Sequence, residues 1–178
     1  MKKQVLVPLA AILASAALLL GLSFALNGVA GERAQAEHVR LLRTVLPGST
    51  SFVVEPYTGQ DSGIRSVHKG ETGFVIQTST PGYADDIEML VGVSKDGRVT
   101  GLVITRMSET AGLGLEALND HVFLAQLLNT DGQAQVGTDV DAITGATVTS
   151  KAVVRSVNSA VAFVTGADTE SSATSWGG

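Results

Sequence analysis

From Val5 to Ala25 the chain is an almost unbroken apolar run of Val, Leu, Ala, Ile and Phe. Its length matches the roughly 20 residues a helix needs to cross a bilayer. The pattern then turns periodic. Over residues 32–46, Ala36, Val39, Leu42 and Leu46 share one helical face with Glu37, Arg40 and Arg43 off it, and Pro47-Gly48 stops the helix. From Ser51 to Thr80 the signals are those of strands: Phe52-Val53-Val54, a polar glycine-containing loop through Lys69-Gly70, then Gly73-Phe74-Val75-Ile76-Gln77-Thr78. Pro81-Gly82-Tyr83 marks a turn.

A hairpin follows. Ile87, Met89, Val91 and Val93 alternate down one strand, Lys95-Asp96-Gly97 supplies the turn, and Val99 to Thr105 returns. Ser108 to Gly114 is a glycine-bearing loop, and residues 116–128 return to helical spacing through Leu118, Val122, Ala125 and Leu128. Asn129 to Gly137 is a polar loop. Val153, Val157, Ala160, Val161 and Val164 give a last helical face that ends at Gly166. The predicted class is α+β: one N-terminal transmembrane helix, then a twisted, mainly antiparallel sheet with packed helices. The predicted organisation is an anchor over 1–31, a linker helix over 32–48, a folded domain over 49–166 and a disordered tail over 167–178, rich in Ser, Thr, Ala and Gly.

Charge fixes the direction of the anchor. The first 31 residues carry no acidic side chain and only Lys2 and Lys3 as charged ones. Under the positive-inside rule this pair stays cytoplasmic and the chain beyond about Gly31 lies outside. Ser23-Phe24-Ala25 and Gly28-Val29-Ala30 resemble cleavage sites, but a signal peptide's apolar region is usually about 7 to 15 residues long, so the length favours an uncleaved anchor. With Lys2 and Lys3 set aside from the net charge of −5, the exported part carries about −7, which argues against nucleic-acid or anionic-lipid binding through a basic face. There is no cysteine. That excludes disulfides, iron–sulfur clusters, thiolate metal sites and lipidated cysteine, so redox chemistry here needs an organic cofactor.

Chemistry concentrates in Asp141-Ala142-Ile143-Thr144-Gly145-Ala146-Thr147, which runs straight into the valine-rich helix. Three properties suit a phosphate. Gly145 permits close backbone approach, the hydroxyls of Thr144, Thr147, Thr149 and Ser150 can donate, and the helix start offers unpaired N–H groups and partial positive charge. Asp141 would repel a phosphate, and fits better as a residue that orients the turn, holds a metal brought by a modifying enzyme, or activates a threonine hydroxyl. The plainer reading has Thr149 or Ser150 capping the helix, Gly145 as a turn glycine and Asp141 in an Asx-turn. On the residues alone both readings stand, and the plainer one needs fewer assumptions.

Glu109-Thr110-Ala111-Gly112-Leu113-Gly114 is a second candidate, either a connection with glycines at positive φ or a backbone surface for a planar ring or phosphate. Tyr83 could stack on a ring, or be a half-buried aromatic after its turn. His38, His68 and His121 show no metal-ligand spacing and read as solvated or structural. No serine sits in a Gly-x-Ser-x-Gly elbow, so a hydrolase is unsupported.

Taken in order, these segments resemble the membrane-anchored, FMN-binding G subunit of the Rnf complex and, more distantly, the C subunit of the sodium-pumping NADH:quinone oxidoreductase. The resemblance rests on the anchor, Val45-Leu46-Pro47-Gly48, Gly82-Tyr83, Ile87 to Val93, Asp96-Gly97, Ser108 to Gly114, and Asp141 to Thr147. It implies an FMN joined through its phosphate to the last threonine of Asp-x-x-Ser/Thr-Gly-Ala-Thr, here Thr147, by a flavin transferase that uses FAD and a divalent metal. It further implies Asp141, Thr144, Gly145 and Ala146 around the phosphate, and Thr110, Gly112, Leu113 and Gly114 against the flavin. Ala142 stands where the motif often has Gly, and Ala111 where the family commonly has Pro; neither removes the acceptor hydroxyl. The chain is shorter than expected for the corresponding quinone-reductase protein, which favours Rnf.

The implied function is one-electron relay outside the membrane, beside other membrane subunits of an ion-translocating ferredoxin:NAD oxidoreductase. No residue of the chain need act as acid or base in turnover. The alternatives are a stand-alone flavinylated carrier and, from another class, a non-redox anchored binding module. A covalent phosphate suits an extracytoplasmic domain, because it holds the ring at high effective concentration where a dissociating cofactor would be lost.

Overall fold

The computed structural model describes Ser15, Leu18, Gly31 and residues 33–107 and 121–167. The expected anchor therefore falls almost wholly outside the described residues, as do the loop containing Thr110, Gly112, Leu113 and Gly114 and nearly all of the tail. Among the described residues, no helix is long and apolar enough to cross a membrane. The chain divides into two units, Met1–Arg40 and Leu41–Gly178.

The second unit is organised by a five-stranded antiparallel meander: β1 Val53–Glu55, β2 Ile64–Lys69, β3 Gly73–Pro81, β4 Asp86–Ser94 and β5 Val99–Arg106, in spatial order β1-β2-β3-β4-β5. The expected hairpin is β4 and β5, closed by Ser94 N–H donating to the Arg98 carbonyl at 2.8 Å, with Gly97 at φ 74°. A left-handed φ at this position is the reason for glycine. The Pro81-Gly82-Tyr83 turn joins β3 to β4, with Gly82 N–H donating to the Asp85 carbonyl at 3.0 Å. β2 corrects the sequence expectation, which had its residues in a loop. Its apolar positions, Ile64 and Val67, lie three apart because a register shift between Ile64 and Ser66 breaks the alternation. His68 is consequently a buried strand residue, with Nε2 3.2 Å from Ser66 Oγ.

Helices pack on both faces of the sheet. We label the helical residues 33–45 as α1, His121–Gln126 as α2 and Thr147–Thr165 as α3. α3 covers the face formed by Ile64, Val67, Ile76, Met89, Val91, Val93 and Val99, burying Val153, Val157, Ala160 and Val161 as expected and ending at Gly166 in the left-handed conformation. Leu42, Val45 and Leu46 cover the opposite face with Val75 and Leu90. Here the expected stripe is corrected: Ala36 and Val39 are exposed, and Val45 joins Leu42 and Leu46 in the core. Gly92 pairs with Gly101 across β4 and β5, and the Val45 backbone lies on this pair. A Cβ at Gly92 would overlap the Val45 carbonyl oxygen, and one at Gly101 would lie 2.8 Å from its Cα. Thr100 Oγ1 donates to that same carbonyl at 2.7 Å, satisfying a helix-end acceptor.

α2 is also out of phase with the expected pattern. Phe123 and Leu127 point inward, while Val122, Ala125 and Leu128 are exposed. The aromatic ring, the larger apolar group, takes the core position.

Candidate functional site

The site is built where α3 begins. The segment before it is wound tightly: the Gln135 carbonyl accepts from the N–H groups of Thr138, Asp139 and Val140, while Asp139 Oδ2 accepts from Gln135 N–H at 3.0 Å. Val140 is buried and fixes the segment to the core. Asp141 N–H then donates to Gln126 Oε1 at 2.9 Å, joining the motif to the end of α2. The Asp141 side chain remains exposed.

Ile143 to Ala146 form a turn closed by Ala146 N–H donating to the Ile143 carbonyl at 2.9 Å, with Gly145 at φ 78°. That φ is what the third position of a type II turn requires, and it excludes a β-branched residue there. The apolar side chains of Ile143 and Ala146 are buried, so the turn is pinned at its ends and presents Thr144 and Gly145 outward. Ser150 completes it from the helix: Ile143 N–H donates to Ser150 Oγ at 3.1 Å, and that hydroxyl donates to the Ala146 carbonyl at 2.9 Å.

Helix periodicity then sorts the hydroxyls. At 100° per residue, Thr147, Val148 and Lys151 fall outward while Thr149 and Ser150 turn into the core. Thr147 is exposed; Thr149 is 2% and Ser150 0% exposed. Two sequence expectations are corrected by this. Thr149 and Ser150 cannot donate to a phosphate at the surface, and neither caps the helix: the N-cap is Ala146, with no side-chain cap hydrogen bond and no acidic residue in the first turn. The start of α3 thus has no side-chain cap and stands beside an exposed hydroxyl, an arrangement that fits a phosphate.

Two contacts of α3 with the sheet show where this helix start lies. The far end of α3 meets the β4–β5 turn, where a Cβ on Gly97 would collide with the Thr165 side chain. Further back along α3, Ser156 Oγ lies 2.7 Å from Thr80 Oγ1, at the opposite end of the strands. Thr147 therefore emerges at the end of the sheet that carries the Pro81–Asp85 turn and the exit of β5. Tyr83, in that turn, is 74% exposed.

Of the predicted site residues, Thr144, Gly145 and Ala146 lie in the Ile143–Ala146 turn, with Asp141 just before it and Thr147 just after it as the first residue of α3. Thr110, Gly112, Leu113 and Gly114 lie outside the described residues. Gln126 was missed by sequence reasoning, and nothing local marks a glutamine that bonds fifteen residues ahead. Among the described residues, no group of three or more His, Asp or Glu side chains could hold a metal ion.

Comparison with known proteins gives this geometry a context. Residues 82–162, from the β3–β4 turn through most of α3, match the family described as FMN-binding domain. The chain is 33% identical to the G subunit of the ion-translocating oxidoreductase complex of Methanosarcina acetivorans, over 90% of this chain and 93% of that one. It is 35% identical to the G subunit of the Na(+)-translocating ferredoxin:NAD(+) oxidoreductase complex of Acetobacterium woodii, over 61% of this chain and 54% of that protein. It is 37% identical to the G subunit of the proton-translocating ferredoxin:NAD(+) oxidoreductase complex of Clostridium ljungdahlii, over 52% and 53% respectively. The Methanosarcina protein apart, the chain spans about half the length of these curated relatives. An FMN-binding domain, with a match to the Methanosarcina protein over nearly the whole of both chains, thus makes this chain a member of the Rnf-type G-subunit family of ion-translocating oxidoreductase complexes.

Proposed function

We propose that the chain is an electron-relay subunit of an Rnf-type ion-translocating ferredoxin:NAD oxidoreductase, carrying FMN on Thr147 through a phosphoester. The observation that carries this reading is the sorting of hydroxyls at the start of α3, where Thr147 is exposed while Thr149 and Ser150 are buried. A modifying enzyme must reach its acceptor oxygen, and within α3's first turn only Thr147 meets that requirement. Attachment forms the Thr147 Oγ–P bond and breaks the anhydride P–O bond of FAD. AMP leaves, and the hydroxyl proton is released to a base of the flavin transferase. Bound there, FMN supplies reversible electron uptake. The chain's own groups would hold it: the Gly145 turn would let the backbone approach the phosphate, the uncapped α3 start would offer N–H donors, and Thr144 would add an exposed hydroxyl.

The apolar run Val5 to Ala25, with Lys2 and Lys3 before it, supports a tether whose N-terminus is cytoplasmic and whose FMN domain faces the extracytoplasmic side, beside the membrane subunits of the complex. The test is coexpression with a flavin transferase, followed by a denaturing gel imaged under ultraviolet light. Wild type should fluoresce and Thr147→Ala should stay dark; a dark wild type with an active transferase, or a fluorescent Thr147→Ala, overturns the proposal. Copurification of the membrane subunits separates the complex from a stand-alone carrier.

A further inference from the structure

Ser150 is the best-connected side chain of the motif region, and it cannot touch a surface ligand. Its hydroxyl accepts from Ile143 N–H at 3.1 Å and donates to the Ala146 carbonyl at 2.9 Å, while its own N–H donates to that carbonyl at 2.9 Å. One hydroxyl thus ties both ends of the Ile143–Ala146 turn to the first turn of α3. A serine has one O–H donor, and here it is committed inward. The site is 0% exposed, so bulk water cannot substitute for it. The peptide of Ala146 leads directly into Thr147, so whatever fixes that peptide fixes the backbone from which the Thr147 hydroxyl projects.

We infer that Ser150 is the positioning residue of the acceptor site: it locks the turn so that Thr147 Oγ is presented in line for phosphoryl transfer from FAD. This rests on Thr147 being the acceptor. A loosened turn leaves the hydroxyl in place chemically but spreads its orientation, and misplacement of a reacting atom by about 1 Å costs on the order of a hundredfold in rate. The effect belongs to the transfer step, since truncation of the buried Ser150 side chain removes no group that a transferase or FAD would touch.

Ser156 provides the matched control. It lies on the same helix, is likewise 0% exposed and holds a buried hydroxyl bond to Thr80, but it touches nothing in the turn. Purified apo forms of wild type, Ser150→Ala, Ser156→Ala and Thr147→Ala, each checked as folded by thermal melting, are assayed for flavinylation with FAD well below their midpoints. Ser150→Ala should lose about tenfold or more in transferase kcat, with the KM values for FAD and for the protein substrate within about twofold of wild type. Ser156→Ala should be modified at the wild-type rate. Equal rates for the Ser150→Ala and Ser156→Ala proteins overturn the inference while leaving Thr147 as acceptor; modification of Thr147→Ala instead overturns the acceptor assignment. If Ser150→Ala does not fold, Ser150→Cys carries the test, keeping the size with a weaker donor and predicting a smaller fall in kcat; a wild-type kcat for it overturns the inference.

Discussion

Beneath α3 the sheet presents Val67, Ile76, Met89, Val91 and Val93, a filled aliphatic layer, whereas on its other face Gly92 and Gly101 open a gap that the Val45 backbone occupies. The glycine face brings main chain against main chain at Val45, leaving no room for adjustment there. The aliphatic face buries α3 through Val153, Val157 and Val161, and leaves Thr147 and Val148 exposed at the helix start. Tight main-chain packing and an exposed helix start are thus divided between the two sides of one sheet.

The largest effect expected from breaking this division is on the glycine face. Gly92→Ala drives a Cβ into the Val45 carbonyl, and because both partners are backbone no rotamer change relieves it. Chemical denaturation should show a loss of about 3 kcal/mol or more. On the aliphatic face, Val157→Ala removes two methyl groups from a fully buried position and should cost about 2 to 3 kcal/mol, since neighbouring side chains can partly collapse into the space. Both variants, once folded, should still be flavinylated. The exposed end of α3 behaves oppositely: Thr147→Ala should shift stability by less than about 0.5 kcal/mol while removing all covalent flavin.

A pH-dependent stability effect is expected in the chain just beyond α1. Glu71 accepts from the N–H and hydroxyl groups of both Thr50 and Ser51. A hydrogen bond from its own backbone N–H, with those from Ser51 and Thr50, lowers its pKa from 4.5 to about 2 against an opposing desolvation. The folded state therefore favours the carboxylate, and the stabilisation is fully present above about pH 4.5 and lost as the pH falls toward 2. Melting midpoints of wild type and Glu71→Gln should differ at neutral pH and converge near pH 2. A gap that persists in acid would mean that the carboxylate's charge is not its source.

The legible parts of the fold are those where burial is one-sided. Alternation in Ile87, Met89, Val91 and Val93, and helical spacing in Val153, Val157, Ala160 and Val161, give β4 and α3 directly. β2 is hidden because a bulge disturbs its alternation and because Arg65, Ser66, His68 and Lys69 look like loop. The inward face of α2 is hidden because Val122 and Phe123 are both apolar, and only packing decides between them. The motif shows the same limit. Its residues suggest a phosphate turn, but the division of Thr147, Thr149 and Ser150 into exposed hydroxyl, core and clip depends on where α3 begins. The starting residue is set by the Ile143–Ala146 turn and by burial of Ile143 and Ala146, which no spacing rule supplies.

The central claim is that Thr147 carries the flavin. Peptide mass spectrometry of the protein matured with an active flavin transferase reads this directly. Fragment ions should place the mass of FMN, less one water, on Thr147. The same increment on Thr144 or Thr149, or its absence from every peptide of a transferase-matured sample, would contradict the account.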